Sequence, residues 1–173
     1  MKRFIVFVLM LLVTVACQQK EEPRPQYQFP TGQIQGQDDL KLLQEAVKTD
    51  PGNVNAWIKM GNILMDTSRF GEAIDAYQKA LDLDPKNVDV RVDMGTCYRN
   101  IGKPDIAVKE FRKAIGINPN HLYAHKNLGV VLVDDFKDVA QGAKELEKYV
   151  QLAPNAPDAE QVRQQIQKLK ASK

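Results

Sequence analysis

VNAWIKMGNILMDTSRFGEAIDAYQKALDLDPKN, from Val54 to Asn87, decides the fold, because the chain repeats it. A shift of 34 residues lays Gly61 on Gly95 and Gly129, Ala73 on Ala107, Ala80 on Ala114, and Pro51 on Pro85 and Pro119. A fixed period of this size marks stacked supersecondary units, each too small to bury its own apolar face alone. Trp57, Met60, Gly61 and Leu64 fall at i, i+3, i+4 and i+7, one stripe of a helix, and Ala73, Tyr77 and Ala80 form the stripe of a second. Thr67, Ser68 and Arg69 supply a polar turn between them. Asp84 and Pro85 end the second helix, since the residue before proline avoids the α region. Gly61, Ala73 and Ala80 remove bulk where two antiparallel helices approach, and Trp57 and Tyr77 fill the space beside them.

These residues resemble the tetratricopeptide repeat, whose pattern places Trp, Leu, Gly, Tyr, Ala, Phe, Ala and Pro at set positions. With Val54 as position one, Trp57, Gly61, Ala73, Ala80 and Pro85 match, and Met60, Leu64 and Tyr77 are near substitutes. The unit at 88–121 carries Gly95, Tyr98, Ala107, Phe111, Ala114 and Pro119 in register, with Arg91 in the tryptophan slot. A degenerate third unit, 122–155, opens with His125, Leu128, Gly129 and Leu132 and needs one extra residue in its turn to align Gly142, Leu146 and Pro154. The resemblance implies an all-α fold, a right-handed superhelical stack of antiparallel helix pairs. It is specific for fold and silent on ligand.

Two segments close the stack. Residues 38–53 form half a repeat, with Leu43, Ala46 and Pro51 in the slots of Tyr77, Ala80 and Pro85. Residues 156–173 form an amphipathic end helix with Ala159, Val162, Ile166 and Leu169 on one stripe, placed to cover the flank of the third unit. Asn53 and Asn87 stand one residue before a helix, where a side-chain oxygen accepts a free backbone N–H, and His121 takes that place in the third unit.

Residues 1–16 are a different kind of segment. Lys2 and Arg3 precede an apolar run from Phe4 to Val13, short of the roughly 20 residues a spanning helix needs, and Thr14, Val15 and Ala16 lead to Cys17. This reads as an export signal. Val15, Ala16 and Cys17 resemble a bacterial lipobox, with Thr14 where that family has an aliphatic residue. The resemblance implies cleavage before Cys17 and lipid acylation (palmitate-type chains) of its thiol and new amino end; ordinary secretion is the alternative. Gln18 rather than aspartate then implies a lipoprotein of the outer membrane, facing the periplasm. Residues 17–37, rich in Gln, Pro and Glu, read as a flexible tether reaching on the order of 60 Å, with Tyr27 and Phe29 its only aromatics.

Removing Lys2 and Arg3 with the signal leaves 22 Lys plus Arg against 22 Asp plus Glu. That balance disfavours nucleic acid as a partner. With Cys17 committed to lipid, Cys97 is the remaining thiol and no disulfide framework is possible; a small buried hydrophobe is its expected role. No phosphate loop, nucleophile elbow or paired metal-spaced cysteines occur, so neither an enzyme nor a cofactor is expected. His121 and His125 are spaced as two metal ligands would be, yet they occupy the capping and tryptophan slots and no third ligand accompanies them, so no metal is assigned.

The remaining surface is the first-helix face opposite the packing stripe, which in tetratricopeptide proteins lines a concave groove for partner segments. Helical geometry places there Asn55, Ile58, Asn62, Met65 and Asp66; Asp89, Val92, Thr96, Arg99 and Asn100; and Tyr123, Lys126, Val130, Val133 and Asp134. Its apolar members are expected to meet water, and Arg99 and Lys126, without packing duty in the pattern, to offer free charge. The carboxylate clamp of chaperone-binding relatives needs Lys and Asn at positions five and nine of one unit, where Ile58 and Asn62 stand. By resemblance, a lipid-anchored adaptor for proteins of envelope assembly is expected. A helper that holds apoprotein in c-type cytochrome maturation, and an enzyme built around the two histidines, are the alternatives.

Overall fold

The structure, a computed structural model, describes residues 36–171; the export signal, Cys17, Tyr27 and Phe29 lie outside the described residues. Among the described residues there are eight helices and no strand: α1 (Gly36–Thr49), α2 (Val54–Asp66), α3 (Phe70–Leu83), α4 (Val88–Asn100), α5 (Pro104–Ile117), α6 (Leu122–Asp134), α7 (Val139–Leu152) and α8 (Ala159–Ala171). Each helix packs on the next in sequence, and α4 also meets α6. The fold is an all-α helical repeat stack. None of the described helices is long and apolar enough to cross a membrane. Gly36 and Gln37, expected at the end of the tether, already belong to α1; Asp38 and Asp39 sit in its first turn, where carboxylates suit the helix dipole.

The stack is built from one contact made three times. Tyr77, Phe111 and Leu146 are almost fully buried, and each lies over a glycine of the preceding helix. A Cβ on Gly61 would stand 2.4 Å from the Tyr77 ring, one on Gly95 2.6 Å from Phe111, and one on Gly129 2.8 Å from Leu146. Glycine is therefore required for close approach at these points and not for backbone freedom. Beside the contact, Ala73, Ala80, Ala107 and Ala114 are fully buried, leaving no room for a longer side chain.

The turns inside the pairs also follow a pattern. Ser68, Gly102 and Lys137 each take positive φ, at 60°, 73° and 58°, to reverse the chain. Three residues separate α2 from α3 and α4 from α5, but Asp135 to Asp138 separate α6 from α7, which accounts for the extra residue in the third unit. Asn53 and Asn87 accept from the amides of Ala56 and Val90 at 3.0 and 3.2 Å. His121 caps through Nδ1, accepting from Ala124 at 3.1 Å.

The tryptophan slot has a second requirement that the apolar pattern hides. The Trp57 indole donates to the Pro51 carbonyl at 2.9 Å, the Arg91 guanidinium to Pro85 at 2.9 Å, and His125 Nε2 to Pro119 at 2.9 Å. The slot needs an N–H that reaches the carbonyl six residues back. Opposite it, on the second helix, stand Ala76, Glu110 and Glu145. The two glutamates pair with Arg91 at 2.7 Å and with His125 at 2.6 Å. The cap helix closes similarly, with Arg163 donating to Pro154 at 2.7 Å, while Val162, Ile166 and Leu169 complete a cluster around Leu146 and Tyr149.

Candidate partner-binding groove

Helices α2, α4 and α6 carry the expected groove residues, and the face they form is folded into two adjoining clefts. The first, about 340 Å³, is lined by Thr96, Arg99, Asn100, Asn127, Val130 and Asp135. The second, about 320 Å³, is lined by Met65, Asp89, Asp93, Thr96, His121, Tyr123 and Asn127, over a floor of Val92. Thr96 and Asn127 border both, joined by a 3.2 Å hydrogen bond. Asn55 and Asp66 are exposed at the α2 end and Ile58 is half-buried. Asn62 accepts from the Tyr77 hydroxyl at 2.8 Å, which turns a groove amide into a support for the core. Asn100 donates to the Thr96 carbonyl at 2.9 Å.

Three expected apolar groove residues are more covered than the spacing implies. Val92 is only 3% exposed and belongs to the core cluster with Ala124 and Leu128 of α6. Val130 packs on the Leu146 cluster, and Val133 lies 2.4 Å from where a Gly142 Cβ would stand. Val92 is covered because α4 packs on α6 of the next pair, Val130 by the cluster that α7 and α8 form, and Val133 by α7 of its own pair. The apolar surface left to a partner is smaller than expected, centred on Tyr123 at 58% exposure and on half-buried Met65.

The two expected free cations are paired. Arg99 holds Asp134 at 3.0 Å and Asp135 at 2.8 Å, bridging α4 to the end of α6. Lys126 pairs with Asp158 at 2.5 Å and lies over the Tyr149 ring, 5.5 Å from its centre. Tyr149 also donates to Asp158, and these two hydrogen bonds, Lys126's first, hold the Asp158 carboxyl below its ordinary range. Burial, then that bond, pushes the Tyr149 phenol up to about 12.

Asp93 and Asn127 were not among the expected groove residues, though spacing contained the signal. Asp93 is four residues after Asp89 and three before Thr96, so it shares their stripe. Burial first, and then Asp89, raises the Asp93 carboxyl to about 6, against a lowering by His121. Burial and Asp93 together push the Cys97 thiol up to about 12, so at neutral pH it is a protonated core side chain and not a nucleophile. Both histidines are engaged by the fold: His121 Nε2 meets Asp89 at 2.8 Å while Nδ1 caps α6, and both His125 nitrogens are used as described above. Among the described residues, no three His, Cys, Asp or Glu side chains converge as metal ligands.

The tetratricopeptide repeat family pattern matches residues 54–87 and again 76–109. Over residues 54–109 the chain thus matches the tetratricopeptide repeat, a fold that supports protein–protein interaction. Solved structures agree on architecture. A crystal structure of MamA protein shares 23% identity over 76% of this chain and 72% of that one, with a TM-score of 0.68. A second crystal structure of MamA gives 21% identity, 81% and 86% coverage and a TM-score of 0.69. The first repeat domain of Spaghetti (RPAP3), solved bound to the HSP90 peptide SRMEEVD, gives 23%, 68% and 93%, with a TM-score of 0.63. At these identities the likeness is one of fold. Among curated proteins, none matches the chain.

Proposed function

We propose that this protein is a lipid-anchored adaptor of the bacterial cell envelope that holds a segment of a partner protein in the groove of its repeats. The observation that carries the reading is the pair of adjoining clefts along α4 and α6, bordered by Met65 of α2. A solid core of repeats needs no such trough, and a segment lying along it would touch all three first helices. A structural neighbour solved with a peptide bound supports a peptide as occupant. In the proposed layout residues 1–16 are removed, Cys17 carries lipid and residues 17–35 tether the stack. Residues 38–53 and 156–173 close its ends, around repeats at 54–87, 88–121 and 122–155. Charged Lys2 and Arg3 before the apolar run, and Val15-Ala16-Cys17 after it, support the anchor. Gln18 supports the outer membrane, facing the periplasm.

Mass spectrometry of the mature amino terminus, with fractionation of a Cys17→Ser protein, tests the anchor. A triacylated or diacylated Cys17, and loss of the variant from the membrane fraction, are expected. An unmodified terminus ends the lipoprotein reading. Affinity capture from envelope extract, compared with capture by a Tyr123→Glu variant, tests the adaptor role; partners retained equally by both would place binding elsewhere.

A further inference from the structure

The charges of the groove point to the chemistry of its occupant, on the reading that a partner segment binds there. Arg99 and Lys126 are neutralised within the chain by Asp134, Asp135 and Asp158. Asp93 is in the opposite condition. It stands half-buried in the second cleft, and among the described residues no hydrogen bond or ion pair reaches its carboxylate. His121, the basic group that influences it, is already held by Asp89 and by the first turn of α6. A desolvated carboxylate without a cation is unfavourable in the isolated chain, and an incoming cation reverses that. Tyr123 borders the same cleft with its ring exposed, and Met65 flanks it, so an apolar wall stands beside the charge. Such a wall suits a long aliphatic stem or a guanidinium plane. A partner presenting a carboxylate would meet Asp93, Asp89 and Asp66, and the described lining of the cleft holds no Lys or Arg to receive it.

We propose that the segment bound in this groove is basic at its centre. One Lys or Arg side chain enters the second cleft, its cation against Asp93 and its stem against Tyr123 and Met65, while Thr96 and Asn127 meet its backbone.

The test selects a random 12-residue peptide library displayed on phage against the full-length chain in detergent, then titrates the selected peptides by fluorescence and maps them by amide shifts. Peptides with a Lys or Arg in common, perturbing Asp93, Thr96, Tyr123 and Asn127, are expected. Asp93→Asn should weaken them about tenfold or more, as loss of one charge-assisted hydrogen bond does. Replacing the peptide's basic residue by Gln should cost little further in that variant. Asparagine keeps the shape and removes an unpaired charge, so the variant remains folded, which its thermal melt checks. Neutral or acidic peptides that perturb the same amides and ignore Asp93→Asn would overturn the basic partner and leave the groove standing. An empty selection, or peptides that perturb only other faces, would overturn the groove itself and the proposal with it.

Discussion

Replacing Gly95 by alanine sets two physical effects against each other, and the structure decides which wins. In a helix interior, alanine is favoured over glycine by about 0.5–1 kcal/mol, because it loses less backbone freedom on folding. The new methyl, however, would stand 2.6 Å from Cε1 and 3.0 Å from Cδ1 of Phe111, inside the roughly 3.5 Å of an ordinary carbon contact. Phe111 is 1% exposed and packs with Ala107, Ala114, Ala124 and Leu128, so its ring has nowhere to go. Overpacking of this kind costs about 1–3 kcal/mol, so a net loss of about 1–2 kcal/mol is expected. Gly116→Ala is the control: nothing lies within 4 Å of its Cβ position, and only the helix preference remains, worth a gain of about 0.5 kcal/mol. Urea denaturation followed by circular dichroism gives both values. Pairing Gly95→Ala with Phe111→Ala should cost less than the sum of the two single changes by about 1 kcal/mol, since the added methyl enters vacated space. Stabilisation of Gly95→Ala equal to that of Gly116→Ala would refute the close approach on which the stack is built.

Arg91→Ala should destabilise by about 1–2 kcal/mol, because it removes the buried partner of Glu110 Oε2 and leaves the carboxylate with only the exposed Lys113 on Oε1, and Arg91→Trp with Glu110→Ala, which copies the first repeat, should recover most of the loss in urea melts. Asp93→Asn should raise stability by about 1–2 kcal/mol above pH 6.5 and by nothing near pH 4, read as melting temperature against pH. The sign follows from a folded-state carboxyl raised to about 6 by burial, with Asp89 and Asp66 opposing its ionisation and His121 favouring it: the wild type loses stability as pH rises through that range, and asparagine does not. Lys126→Met should cost about 1 kcal/mol at neutral pH, with the cost shrinking as acid protonates Asp158, whose carboxyl is depressed in the fold; a cost unchanged across that acid limb would contradict the pairing.

The fold was legible because its determinants are short-range and repeated. The spacing of Gly61, Gly95 and Gly129 and the caps at Asn53 and Asn87 lie within single units, where helical period alone places a residue. The groove was only partly legible, since its composition depends on contacts between units. Val92 looked free on α4 until α6 was packed beside it, and Arg99 looked free until Asp134 and Asp135, 35 and 36 residues on, were brought to its side. Arg91 and His125 stand in the tryptophan slot without being aromatic bulk of that size. Only the Pro85 and Pro119 carbonyls show that the slot asks for an N–H donor as well as bulk.

Photo-crosslinking in living cells tests the central claim most directly. A benzophenone side chain placed at Tyr123, exposed in the groove, is compared with one at Lys109, exposed on α5. Discrete crosslinked partner bands from position 123, with none from position 109, are predicted. Bands from position 109 while position 123 stays silent would contradict the account and put the working surface of the stack on its second helices.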